Sequence, residues 1–170
     1  MDLLDRLIGH DAAATRCLLE LALPLSDADL DRAFPVGLGT LRRTFVHVVE
    51  NAETWTDLMD GVDPRVRPVA TDESIGALLR RFDVVSVRFA RLARSIVDAG
   101  RLDDCFVDVL DSPAKDKSFG AGILHIATHG MHHRAQLLFM MRRLGLPHVP
   151  EGDALSWEKS AVGGWLKSDH

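Results

Sequence analysis

The sequence predicts an all-α protein: a four-helix bundle with a short extra helix and one extended loop or short strand segment between helices three and four. Three observations lead there. Four long stretches carry apolar residues at three- and four-residue steps, the period of an amphipathic helix. Gly, Pro and capping residues punctuate these stretches at spacings that suit helix ends. The chain has 170 residues, 46% of them hydrophobic, enough for a single core without disulfide or metal staples. Residues 1–170 therefore read as one helical bundle domain, since layers of amphipathic helices bury their apolar stripes on one another.

The elements follow in chain order. In residues 2–23, Leu3, Leu7, Ala14, Leu18 and Leu21 mark an apolar face that Pro24 ends. Ser26 with Asp29 resembles a capping box and predicts a short helical turn through Phe34. Pro35, Gly37 and Gly39 mark a loop, after which Thr40 caps the second long helix, with Leu41, Phe45, Val48, Ala52, Trp55 and Met59 inward. Gly61 and Pro64 stop it, and residues 65–70 read as an extended connection. Thr71 or Asp72 is the expected cap of the third long helix, which carries Ile75, Leu78, Leu79, Phe82, Val85, Phe89, Leu92 and Ile96 and closes at Gly100. Cys105–Leu110 reads as a short strand or packed extended loop, with a turn at Ser112-Pro113. Ser118 caps a fourth long helix that runs to Leu144, with Gly145 at its C-terminal stop. Asp153 caps a short last helix through Val162. The connections are too uneven in length to guarantee a simple up-down-up-down order.

Composition removes several function classes. Lys and Arg number 20 against 25 for Asp and Glu, a net charge of −5, and the arginines are scattered; nucleic-acid binding through phosphate contacts is not expected. The longest stretch free of Asp, Glu, Lys and Arg, 118–133, is too short and too rich in His and Gly to span a bilayer. Asp2, Asp5 and Arg6 interrupt the position of a signal-peptide core, and Cys17 and Cys105 stand outside any metal or redox spacing. A cytoplasmic protein with free thiols is the expectation. A ferritin-like di-iron site is set aside because no Glu-x-x-His motif occurs.

The unusual feature is histidine. Of eight, His125, His129, His132 and His133 fall within nine residues of the fourth helix. On a helical wheel His125 and His133 lie about 40° to either side of His129, with Gln136, Met140 and Gly122 inside the same stripe. Imidazoles four residues apart stack one turn apart on one face, so that two can share a metal ion. The wheel leaves open whether the pair is His125/His129 or His129/His133. A third ligand must come from another helix, and His47, about 120° from the centre of the second helix's apolar stripe, can reach sideways. Three imidazoles leave a coordination position open, as catalytic zinc sites do, and also suit nickel, iron or copper. His132 falls at the stripe's edge and is expected to be exposed or to support the metal ligands from outside their shell. His10 reads as a histidine at the core edge with a hydrogen-bond partner, and His148 and His170 carry no role.

Two segments resemble the DinB/YfiT-like family of metal-dependent enzymes. One is Gly39-Thr40-Leu41-Arg42-Arg43-Thr44-Phe45-Val46-His47 with the following Glu53-Thr54-Trp55; the other runs from Leu124 through His125, His129 and His133-Arg134-Ala135-Gln136 to Leu144-Gly145. The chain departs from the family pattern at Ala135, where glycine is usual, and at His10, where an aromatic is frequent. The resemblance implies a metal triad of His47, His129 and His133 at one end of a cleft, and often a homodimer. It also implies a divalent cofactor, zinc, nickel or iron, and an enzyme of thiol-dependent transferase, isomerase or hydrolase type. Such an enzyme would act on a small-molecule substrate, with a low-molecular-weight thiol as possible partner. Polar candidates for the catalytic role are His125, Gln136 and Asn51. The competing expectation is a non-catalytic metal- or ligand-binding module of a stress response.

Overall fold

The computed structural model describes residues 1–66, 68 and 71–162, the last three of these by backbone alone. Helix α1 spans Leu3–Ala22, a short α2 Asp27–Leu30, α3 Leu41–Met59, α4 Ile75–Asp98, α5 Phe119–Leu144 and α6 Ala154–Val162. Strands β1, Cys105–Asp108, and β2, Lys115–Ser118, form an antiparallel hairpin between α4 and α5. Helix α1 packs against α4 and α5, and α3 packs against the same two. Consecutive long helices α1 and α3 therefore sit on one diagonal and α4 and α5 on the other, and only α3 to α4 is a neighbour-to-neighbour step.

Local chemistry sets the boundaries. Asp2 and Asp5 form a reciprocal capping box on α1, and the Ser26, Thr40 and Ser118 side chains each accept a backbone N–H in the first turn of α2, α3 and α5. Gly145 closes α5 in the left-handed conformation. The cap of α4 differs from expectation. Ser74, not Thr71 or Asp72, accepts the Ala77 N–H at 3.2 Å, while the Asp72 carboxylate accepts the Ser74 N–H and so shapes the turn before the helix. The short helical turn expected through Phe34 already ends at Leu30. The extended connection expected over 65–70 falls partly outside the described residues; it begins in a 3-10 turn, Pro64–Val66.

The segment between α4 and α5 is a hairpin rather than a lone strand, with Cys105 opposite Ser118 and Asp108 opposite Lys115. Lys115-Asp116-Lys117-Ser118 has no apolar alternation to announce a strand. It is held by pairing with Cys105–Asp108, by Lys117 on buried Asp108, and by Phe106 packing on Phe119 with ring centroids 5.5 Å apart.

Two apolar clusters fill the bundle. One gathers Leu18, Leu41, Phe45, Leu78, Leu137 and Met140; the other, toward the hairpin, gathers Ile8, Met59, Phe89, Phe106, Phe119 and Ile126. Along α1 and α5 the two clusters are separated by a polar seam. Asp11 and Thr15 of α1 are buried there, and both meet Arg134 of α5: Nη1 of Arg134 donates to the Asp11 carboxylate and, at 3.0 Å, to the Thr15 hydroxyl. Gly130 makes room, since a Cβ there would stand 2.6 Å from Asp11 Oδ1 and 2.9 Å from Arg134 Nη1. This corrects the face expected for the first helix. Leu3 is 80% and Leu7 37% exposed, while Ile8, Asp11, Thr15, Leu18, Leu19 and Ala22 point inward.

Candidate metal centre

Helix α5 presents its histidines one turn apart, and α3 brings His47 across to them. The ligand nitrogens of His47, His129 and His133 all lie within 4.8 Å of one another. His47 Nε2 and His129 Nε2 are 3.0 Å apart, so one of the two rings carries a proton that the other accepts. Two nitrogens bound to one zinc at about 2.0–2.1 Å in tetrahedral geometry would stand roughly 3.3 Å apart, which this separation nearly matches. No other described His, Cys, Asp or Glu joins the group. The donor set is therefore three imidazoles without a carboxylate, a chemistry that suits a borderline cation such as zinc or nickel.

Gln136 orients one of the three. An amide oxygen only accepts and an amide nitrogen only donates. Gln136 Oε1 lies 3.0 Å from His133 Nδ1, and its Nε2 lies 2.9 Å from Nε2 of the exposed His132. The proton of His133 is thereby fixed on Nδ1, leaving Nε2 with its lone pair toward the cluster. Such an outer hydrogen bond holds a metal-ligating imidazole in orientation and tautomer. Gln136 in turn sits against Gly37 of the α2–α3 loop, whose φ of 50° and missing side chain leave the space the amide fills. Gly37→Ala adds a strained backbone and a collision with the Gln136 amide. We expect it to lower stability by about 1 kcal/mol through backbone strain, and to weaken metal affinity by roughly 10-fold or more through the displaced amide. Thermal unfolding with metal titration reads both, and wild-type affinity in this variant would refute the link.

Burial also tunes the cluster. Desolvation, followed by the neighbouring imidazoles of His133, His47, His125 and His132, pushes His129 down to about 4. His133 is lowered chiefly by burial, against the Gln136 hydrogen bond, and His125 by burial and the Lys117 charge. Metal ligands must be deprotonated, and these rings meet that condition at neutral pH. In chelator-treated protein an unfolded histidine near 6.5 binds more protons than His129 does between about pH 6.5 and 4. Stability is therefore lost as pH falls through that window. The urea midpoint should drop from pH 7.5 to 5, and by less in His129→Gln; equal drops in the two proteins would contradict this.

The remaining candidates separate clearly. His125 lies beside the cluster, its ring centroid 5.2 Å from that of His129 and 4.8 Å from that of Trp55. Lys117 of the hairpin lies over the other part of this wall, its Nζ 5.0 Å from the Trp55 ring centroid. Neither Trp55 nor Lys117 was singled out for the site from sequence; Trp55 stood on an apolar stripe and Lys117 in a segment without a pattern. Asn51, one turn along α3 from His47, is half-buried and its side chain makes no hydrogen bond among the described residues. His10 bonds the Gly152 carbonyl through Nε2 at 3.0 Å, as expected of a core-edge histidine. His148 is in a loop, and His170 lies outside the described residues.

Comparison with known proteins agrees with this architecture. The profile of the DinB family matches residues 2–162. Among solved structures the chain is similar to the crystal structure of a DinB-like protein from Bacillus cereus ATCC 10987. The TM-score is 0.60 at 21% identity, over 84% of this chain and 90% of that one, a likeness that shows the shared fold. No curated protein matches the chain. With a helical bundle, converging histidines and a family match along nearly all of its length, the chain belongs to the DinB family.

Proposed function

We propose that the protein is a metal-dependent enzyme in which His47, His129 and His133 hold a divalent cation, zinc, nickel or iron, and that it joins a low-molecular-weight thiol to a small electrophile. The observation that carries the reading is the three-nitrogen cluster that no fourth protein ligand closes among the described residues. A closed shell serves structure, whereas an open position admits water or substrate. A cation there acts as a Lewis acid and lowers the pKa of a bound water or thiol.

The chain's own residues supply the rest. Gln136 keeps the His133 proton on Nδ1 and its Nε2 free. His125, held against Trp55 and depressed in pKa by burial, is neutral at pH 7 and can take the thiol proton on a ring nitrogen. The sulfur then forms a bond to the electrophilic carbon, and the leaving group departs with its electron pair. Cys17 and Cys105 are both free thiols, in keeping with a reducing, cytoplasmic setting where such co-substrates occur. No described helix is long and apolar enough to cross a membrane.

Incubation of metal-loaded and chelated protein with a panel of electrophiles, each with several bacterial thiols or with water alone, tests the proposal. Thiol-dependent, chelator-sensitive consumption of an electrophile is the expected result. Turnover that needs no thiol moves the reading to a hydrolase, and turnover indifferent to chelation sinks it. The elution volume of the same sample reads the homodimer that belongs to this proposal.

A further inference from the structure

A cavity of about 640 Å³ opens between α1, α5 and α6, and it shares no residue with the histidine cluster. Helix α6 builds its outer wall. Arg6 pairs with Glu158 at 2.7 Å, His10 bonds Gly152, and Trp157 packs edge-on to His10 with ring centroids 5.8 Å apart. The lining is mainly apolar, with Ala14, Met131, Leu138 and Trp157 among its residues and the free thiol of Cys17 beside them. Its volume and lining are those of small-molecule pockets, which are apolar with few, placed polar groups.

One polar group in this lining has donors to spare. Arg134 lines the cavity, yet the residue is only 5% exposed. Its Nη1 is committed to Asp11 and Thr15, while Nε and Nη2 find no acceptor among the described residues. Neither nitrogen is sealed from solvent, so both can donate to water in the cavity, and a ligand oxygen can take the place of that water. Charge selects the kind of oxygen. Asp11 already balances the Arg134 charge, and the lining itself carries the carboxylates of Glu151 and Asp153, so a neutral oxygen suits this cavity better than a carboxylate ligand.

We infer that this cavity binds an uncharged, largely apolar small molecule through a ketone or amide carbonyl that accepts from Arg134. The inference is independent of the metal reading and survives its failure. Prodan, a naphthalene bearing a propionyl ketone and a dimethylamino group, is a suitable probe because its emission shifts to the blue in apolar surroundings. We expect one saturable site per chain, lost in Ala14→Trp, which fills the cavity. The analogue with propyl in place of propionyl should bind about 10-fold more weakly, the size of one hydrogen bond to a charged donor. A naphthoate carrying the same amine should also bind more weakly than prodan. Arg134→Lys keeps a charge for Asp11 but removes Nε and Nη2, and should bring prodan down to the affinity of the propyl analogue. Absence of saturable binding, equal binding of prodan and its propyl analogue to the unaltered protein, or tighter binding of the naphthoate each overturns the inference. The comparison of ligands on the unaltered chain needs no variant to fold.

Discussion

Arg134→Met is expected to lower stability by about 3–5 kcal/mol, the cost of leaving a buried charge without its partner. Burial raises the Asp11 carboxyl while the Arg134 guanidinium pulls it back down, so the guanidinium is what lets a carboxylate stand inside the bundle. Thr15 loses the same donor. At this chain length the loss corresponds to a fall in melting temperature of roughly 10 °C. The control is a double variant, Asp11→Leu with Arg134→Met, which removes both charges and should recover much of the loss, since apolar groups of similar volume often replace buried ion pairs at little cost. A single variant as stable as the unaltered protein would show that the pair is not desolvated as described.

His129→Ala should reduce metal affinity by more than about 100-fold, beyond the 10- to 100-fold that follows loss of an outer hydrogen bond. His129 is central: its Nε2 meets His47 Nε2 at 3.0 Å, and its ring centroid is 4.4 Å from that of His133. His133→Ala should behave alike, and His148→Ala should not. Metal content after dialysis, with calorimetric titration, reads the effect. Full occupancy in both His129→Ala and His133→Ala would remove the three-histidine assignment. The fold should survive either change, because these rings are desolvated without metal and their removal relieves rather than creates an unfavourable burial.

Much of this was legible before any coordinates. The α5 stripe could be read because His125, His129, His133, Gln136 and Met140 repeat at helical steps, and a wheel needs nothing else. His47 was reachable as the residue flanking a stripe on another helix. Helical geometry alone could not choose between His125 and His133 as the second ligand on α5; the resemblance made that choice, and His125 instead rests on Trp55. The face of α1 was misread for a physical reason. Asp11 and Thr15 count as polar in any local pattern, and their burial is tolerable only because Arg134 arrives from 123 and 119 residues away. Strand β2 was missed because its alternation is absent and its partner strand supplies the order. Gly37 read as a loop marker, with no hint that the Gln136 amide would occupy its missing side chain.

His133 and Arg134 are consecutive on α5, yet one turns to α3 and the other to α1. Adjacent positions on a helix point about 100° apart, so these two contacts specify the rotation of α5 about its own axis. A slip of one residue in one direction would carry His133 toward Asp11 and His132 toward His47. In the other it would carry Arg134 toward His47 and leave Ala135 facing Asp11. Either way a buried carboxylate loses its guanidinium. Leu137 and Met140 could repack after such a slip at modest loss, as apolar surfaces generally do. The polar seam could not, and so it acts as a key in a lock that admits α5 in a single register.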